Sequence, residues 1–357
     1  VSYTKKAGEQ KLQRAEKMRQ VILKEPKNLE VCERSIPGLS EEEALIRVSY
    51  CGICGSDIHS YLGKHPFVKY PVTPGHEFTG TVVDRGARVD ESILGRAVCV
   101  EPSITCGKCP ECLSGKYNIC RNLKVLGFQA DGAMREYLPV PKDKLHVLPN
   151  GVDKLSGALA EPAAVAVHAI ERGRVNPDSC VLVIGGGVIG LALTQILRSM
   201  NCFVAVVEDS SEKAERALVF GANTSFVFDE IGAKRSNEYL EREPDVIFEC
   251  VGKNETMEFA IKTAPNGKTI IVVGVFPEPA TLSISLVQDH ELDILGTLMY
   301  TADDFKRALE LISSGAIEPR RFITHMFRLE SVKEAYETAI DPGGNSLKVL
   351  LEIGDGH

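Results

Sequence analysis

Six apolar runs of β type, parted by helical patterns, constrain what this chain can fold into more than any other feature. The runs are VLVIGG (181–186), FVAVVE (203–208), TSFVF (224–228), DVIFECVG (245–252), TIIVVGVF (269–276) and LDILGTL (292–298). Between several of them lie the helix-like stretches GLALTQILRSM, SEKAERALVFGA and NETMEFAIKTA. Strands joined through helical crossovers pair in parallel, so an α/β architecture with a doubly wound, six-stranded parallel sheet is expected. Continuous Val and Ile runs suit strands covered on both faces.

The stretch upstream has another texture. From about Met18 to Pro149, short β-type runs (EALIRVSY, FTGTVVDRG, GRAVCV, REYLPVP) alternate with Gly and Pro turn signals. That pattern predicts an antiparallel, barrel-like domain. After residue 300, TADDFKRALELISSGAI reads as an Asp-capped amphipathic helix and LKVLLEI as a strand that returns to the first domain. The expected division is residues 1–165 with 300–357 for the barrel-like part and 166–299 for the parallel sheet. Residues 1–17, rich in helix formers and mixed charge, read as an added arm.

Charge and cysteine usage exclude several classes. Lys and Arg number 41 against 49 Asp and Glu, a net charge of −8. A nucleic-acid-binding face needs a basic excess, so none is expected. No run approaches the ~18 apolar residues that span a bilayer, and no membrane segment is expected. Four of the eleven cysteines crowd into one short stretch. That reads as metal binding in a reducing compartment, the cytoplasm, and not as a disulfide framework.

Gly185-Gly186-Gly187-Val188-Ile189-Gly190 fits G-x-G-x-x-G between a predicted strand and a predicted helix. Gly185 makes the tight turn, Gly187 lets the backbone approach a pyrophosphate, and Gly190 allows close helix–strand packing. Val188 and Ile189 open the helix whose free N–H groups face the phosphates. Glu208 closes the second run 18 residues after Gly190. A carboxylate there accepts hydrogen bonds from ribose hydroxyls and repels a 2′-phosphate, which favours NAD over NADP. Lys213 can approach the same ribose.

Two sets of metal-ligating residues stand out. Cys106-x2-Cys109-x2-Cys112-x7-Cys120 offers four thiolates, suited to a closed tetrahedral zinc site. Cys54, in CGICGSDIH, joins His76 and Glu77, in PGHEFTG, as a mixed set that leaves a coordination position open for chemistry. Cys51 competes with Cys54 on spacing alone.

Taken together, these residues resemble the medium-chain, zinc-dependent alcohol dehydrogenase family, from about Met18 to Ile353. The signature G-H-E-x2-G-x5-G-x2-V stands here as Gly75-His76-Glu77 through Gly80, Gly86 and Val89. The resemblance implies a GroES-like barrel beside a Rossmann sheet, one catalytic and one structural zinc, and hydride transfer to NAD. It implies Cys54 and His76 as catalytic zinc ligands. Glu77 or Glu161 takes the remaining place, since Ala160-Glu161-Pro162 resembles the sorbitol and threonine dehydrogenase branch. Ser56 and His59 would carry the proton outwards and Asp57 would orient His76. Val251, Val273 and Val275 would pass the nicotinamide and its ribose, and Lys348 would approach the cofactor. The implied reaction is reversible oxidation of a secondary alcohol of a polyol, sugar acid or cyclitol. Gln129, Tyr61 and Glu101 are candidate polar partners for its hydroxyls. Met299 stands before Tyr300 where sorbitol dehydrogenases carry arginine, which argues against sorbitol itself. The alternatives are an L-threonine or butanediol-type dehydrogenase and, in another class, a non-catalytic NAD-binding structural protein. A homo-oligomer, dimer or tetramer, is also implied.

Overall fold

The computed structural model describes residues 17–228, 242–341 and 346–354. The expected arm lies outside the described residues, save Lys17, which opens the first strand.

Strands β1 (Lys17–Glu25) and β2 (Asn28–Ser35) form an antiparallel ribbon. β3 (Glu43–Ile53), β4 (Glu77–Arg85) and β5 (Ala97–Val100) follow in an antiparallel sheet. The ribbon β6 (Ser103–Ile104) with β7 (Lys124–Val125) brackets the four-cysteine stretch. β8 (Tyr137–Pro141) pairs with β3, and β9 (Leu145–Val147) with β5. β3 is buried along nearly its whole length, with β4 along one edge and β8 and β17 (Lys348–Glu352) along the other.

The parallel sheet holds β10 (Cys180–Ile184), β11 (Phe203–Glu208), β12 (Thr224–Val227), β13 (Val246–Glu249), β14 (Thr269–Val272) and β15 (Asp293–Gly296), in the order β12-β11-β10-β13-β14-β15. Alternate residues serve opposite faces. Val181, Val183, Val204, Val206 and Phe248 join one hydrophobic cluster with the helices Ala160–Gly173 and Val188–Ser199. Leu182, Ile184, Ala205, Val207 and Ile247 join another with Met257, Phe259 and Ile261. Each fully buried Val or Leu contributes about 1.5–3 kcal/mol. The strand order reverses between β10 and β13, and ligands of such sheets bind outside the carboxyl ends at that point.

Five of the six runs outlast their strands, three of them into loops at the carboxyl edge. β13 stops at Glu249 and β14 at Val272, although apolar residues continue. Gly252, at φ 80°, and Gly274 pack backbone to backbone, and a Cβ on Gly274 would overlap Gly252 N. Cys250–Gly252 and Val273–Val275 therefore leave the sheet as loops at its carboxyl edge. β15 likewise ends at Gly296.

β16 (Ile323–Arg328), which the sequence did not announce, pairs in parallel with β17 (Lys348–Glu352), and β17 pairs antiparallel with β3. The division expected after residue 165 falls inside the helix Ala160–Gly173. No described helix is long and apolar enough to cross a membrane.

Candidate active site

β3 ends at Ile53, and Cys54 caps the short helix Gly55–Tyr61 that follows. Its main-chain N–H donates to Asp57 Oδ2 at 3.0 Å, which fixes the thiol at the rim of the sheet. His76 and Glu77 arrive with β4, where Glu77 stands opposite Gly52. A Cβ on Gly52 would overlap the Glu77 carboxylate. One ligand atom each from Cys54, His76 and Glu77 lies within 4.8 Å of the others. Asp57, wholly buried, faces His76 Nδ1 at 3.5 Å and leaves Nε2 for the cluster. Burial alone would lower the His76 pKa, but Asp57, helped by Cys54, lifts it well above the ordinary value. Ser56 Oγ donates to Cys54 Sγ at 3.3 Å. His59 follows three residues later on the same helix, half-buried, its pKa lowered by burial and by Lys64. Cys51 does not enter the cluster: its buried thiol donates to Gly52 O at 3.7 Å.

Glu161 sits in the first turn of the helix Ala160–Gly173 and accepts from the Tyr300 hydroxyl at 3.0 Å. Burial pushes its carboxyl up to about 7; the His76 charge and the Tyr300 hydrogen bond oppose the rise, and the Glu77 charge adds to it. The structure groups Glu77, and not Glu161, with Cys54 and His76. Lys348, expected to approach the cofactor, stands in this structure beside Glu77. Its ammonium, on β17, donates to Glu77 Oε2 at 2.5 Å and to Ile53 O at 3.4 Å, with the Lys348 side chain 2% exposed. A buried ammonium requires an anion, and Glu77 is that anion.

Of the three expected polar partners for substrate hydroxyls, Gln129 and Glu101 have their polar groups engaged elsewhere, and Tyr61 is placed by its ring. Gln129 accepts from Val125 N and donates to Phe67 O. Tyr61 packs on Tyr336 with ring centroids 5.2 Å apart. Glu101 is buried against His146 Nε2 at 2.7 Å and the Tyr117 hydroxyl at 3.0 Å.

The sulfurs of Cys106, Cys109, Cys112 and Cys120 also lie within 4.8 Å of one another. Cys109 and Cys120 are 3.9 Å apart, far beyond a disulfide, and all four are free thiols. A tetrahedral zinc, with Zn–S of about 2.3 Å, sets sulfurs about 3.8 Å apart, so this set fits it. Main-chain N–H groups of Lys108 and Cys109 hold the Cys106 thiol down to about 6, while burial and its sulfur neighbours push Cys112 up to about 12. Crowded thiols of this kind need a cation to deprotonate together.

At the carboxyl end of β10, Gly185 turns at φ 94° and Gly187 caps the helix Val188–Ser199. A Cβ on Gly190 would overlap Gly185 O, whereas one on Gly187 meets nothing within 4 Å. That leaves a cradle in which a phosphate can reach the backbone. Val188 and Ile189 are half-buried at the helix start. Glu208 Oε1 accepts from Gly186 N and Oε2 from Asp209 N, with lone pairs left for hydroxyl donors. Lys213 pairs with Asp209, 2.9 Å away, one turn earlier. The Val251 side chain lies over Gly185; Val275 is exposed and Val273 half-buried on the neighbouring loop.

The sequence matches two family models, the alcohol dehydrogenase GroES-like domain over residues 40–150 and the zinc-binding dehydrogenase over residues 188–314. It is 31% identical to the L-galactonate-5-dehydrogenase of Escherichia coli K12, covering 90% of this chain and 94% of that one. An E. coli CFT073 alcohol dehydrogenase (rspB) solved with NADH superposes with a TM-score of 0.88 at 30% identity, over 94% of this chain and 99% of that one. A Sinorhizobium meliloti 1021 dehydrogenase of the zinc-binding type, solved with NADP, gives 0.87 at 32% identity over 94% and 99%. The chain belongs to the zinc-type medium-chain dehydrogenase family. This dehydrogenase is a zinc-type oxidoreductase of alcohols.

Sequence reasoning missed two parts of the dehydrogenase site. Glu249, fully buried at the end of β13, accepts from Val251 N, Gly252 N and the Thr256 hydroxyl, and so shapes the loop beside Gly185. Its only signal was an acidic residue inside an otherwise apolar run. The other is the set of contacts that Tyr117 and Asn118 make with residues near 300, for which spacing gives no sign.

Proposed function

We propose that this dehydrogenase oxidises a secondary alcohol of a polyol, sugar acid or cyclitol to the ketone, reversibly. The carrying observation is the convergence of thiol, imidazole and carboxylate at Cys54, His76 and Glu77, with Glu161 buried nearby. In this reading those three hold the reacting zinc, Glu161 stands in reserve, and the four-cysteine set holds a structural zinc. Zinc in the mixed set supplies Lewis acidity that lowers the pKa of an alcohol. NAD, on the Gly185–Gly190 turn, is the hydride acceptor.

The chain's own groups do the rest. Ser56 takes the hydroxyl proton and His59 passes it outwards. Asp57 fixes the ring of His76. Lys348 neutralises Glu77, so that a second buried carboxylate, Glu161, is tolerated beside it. Glu208 accepts from the adenosine ribose and disfavours a 2′-phosphate. Residues 1–165 with 300–357 and residues 166–299 form the zinc-binding and NAD-binding parts, meeting in the helix Ala160–Gly173.

The L-galactonate enzyme among the relatives supports an acid or polyol substrate. Eleven free cysteines support a reducing, cytoplasmic setting. β15, at the edge of its sheet, offers unpaired backbone groups for a homo-oligomer, either a dimer or a tetramer. The test is NADH formation across polyols, sugar acids, inositols, L-threonine and butanediol, each with and without chelator, beside a zinc assay. Chelator-sensitive turnover of a polyol, sugar acid or cyclitol with about two zinc per chain is expected. Turnover confined to L-threonine or butanediol would move the substrate class. Silence with NAD and zinc bound would favour a non-catalytic role.

A further inference from the structure

Tyr300 holds Glu161, yet the backbone just before it is in a costly conformation. Met299 sits at φ 49°, a left-handed value that an L-residue with a side chain adopts only when its surroundings impose it. The imposing groups come from elsewhere in the chain. Asn118 Nδ2 donates to Leu298 O at 2.9 Å, one residue before Met299. The Tyr117 hydroxyl accepts from Ala302 N, two residues after Tyr300. Its proton is committed to Glu101 Oε2 at 3.0 Å, so towards Ala302 it can only accept. Glu101 is in turn held by His146 and Lys144. Between these points, Asp304 Oδ2 accepts from Thr301 N at 2.7 Å and from His168 Nδ1 at 3.0 Å. His168 Nε2 lies 3.3 Å from Asn118 Nδ2, which closes the network.

Tyr117 and Asn118 belong to the short helical turn Tyr117–Ile119 that leads into Cys120. The geometry points to a second role for the four-cysteine lobe: through Tyr117 and Asn118 it clamps the Leu298–Ala302 segment, keeps Met299 left-handed, and so positions Tyr300 on Glu161. Tyr117 and Asn118 are positioning residues, acting through Tyr300 on the carboxylate beside the reacting centre. The inference rests on the reading of Cys54, His76, Glu77 and Glu161 as that centre.

The test labels the full-length, zinc-loaded enzyme with 3-fluorotyrosine. Nine tyrosines give nine fluorine resonances, and Tyr300→Phe assigns the one that matters. Asn118→Ala is expected to shift the Tyr300 line while those of Tyr50 and Tyr137, in the first sheet, stay. Adding Met299→Gly, which makes the left-handed turn free of steric cost, returns the line most of the way. On an alcohol that the enzyme oxidises, KM rises about fivefold in Asn118→Ala, the equilibrium weight of one hydrogen bond, with kcat less affected. An unmoved Tyr300 line in a folded Asn118→Ala protein with full zinc overturns the clamp. Should that variant not fold, Tyr117→Phe, which loses only a hydroxyl, is read by the same criterion. The fluorine readout needs no substrate, so silence across the alcohol panel would count against the proposed function and leave the clamp to be judged by the spectra.

Discussion

Replacing Glu249 by alanine removes a carboxylate that is 0% exposed and serves three donors. Oε1 accepts from Val251 N at 2.9 Å, Gly252 N at 2.8 Å and the Thr256 hydroxyl at 2.8 Å. Not all three are stranded. The Thr256 hydroxyl falls back on Lys253 O, 2.9 Å away, and Val251, 36% exposed, regains water. Gly252 N–H stays buried with no acceptor. An orphaned buried donor costs about 1–3 kcal/mol and a lost bond to a charged acceptor about 1.5–3 kcal/mol. After the discount for the two rescued donors, Glu249→Ala is expected to lose about 3 kcal/mol of stability. The loop it releases carries Val251 across Gly185, so NADH affinity falls about tenfold, or ~1.4 kcal/mol. Glu249→Gln keeps an acceptor oxygen and loses about 1 kcal/mol. The chain has no tryptophan, so unfolding is followed by circular dichroism and NADH binding by the cofactor's own emission. An alanine variant that matches wild type in melting and in NADH affinity would refute the reasoning.

Other perturbations separate fold from cofactor binding. Gly187→Ala, whose Cβ meets nothing within 4 Å, is expected to fold with an unchanged melting temperature and to bind NADH at least about tenfold more weakly, by titration. Gly190→Ala, which overlaps Gly185 O, is expected to lose thermal stability as well. Removing the Glu208 charge with Glu208→Ser should shift the NAD to NADP ratio of kcat/KM at least about tenfold towards NADP; an unchanged ratio defeats the repulsion argument. For Glu101, burial alone would raise the pKa, but the His146 hydrogen bond and the Lys144 charge bring it below 4.5. A depressed folded value stabilises above the unfolded pKa, and that stability is lost as pH falls through the folded one. Melting temperature should therefore drop as pH falls below about 4.5, and Glu101→Gln should flatten that limb.

Local chemistry was legible in the sequence and long-range pairing was not. The glycine turn at 185–190 and the four cysteines each lie within short stretches whose spacing alone suggests a ligand, whereas only the family resemblance separates Cys54 from Cys51 as the partner of His76 and Glu77. The six strands were legible because apolar runs of that length have few other uses. Their carboxyl ends were overrun because Val251, Val273 and Val275 are apolar for a reason other than the sheet. β16 escaped notice because ITHMFR alternates half-buried with exposed residues and buries none fully. Lys348 reads as a basic residue in a strand, and only the pairing of β17 with β3 reveals that its partner is Glu77. Gln129 and Glu101 looked like substrate ligands because sequence shows a polar group without showing what already occupies it.

The return of β17 to β3 also sets a schedule for making the enzyme. Lys348 and Ile53, joined at 3.4 Å, are 295 residues apart. On the ribosome, β3 and β4 emerge long before the strand that completes them. Throughout the synthesis of the parallel sheet, Glu77 lacks its ammonium and the Tyr50–Ile53 end of β3, beyond its pairing with β8, offers a bare edge that a neighbouring nascent chain could pair with. The reacting centre is thus finished only when residue 348 has left the ribosome, whatever the chain has folded by then.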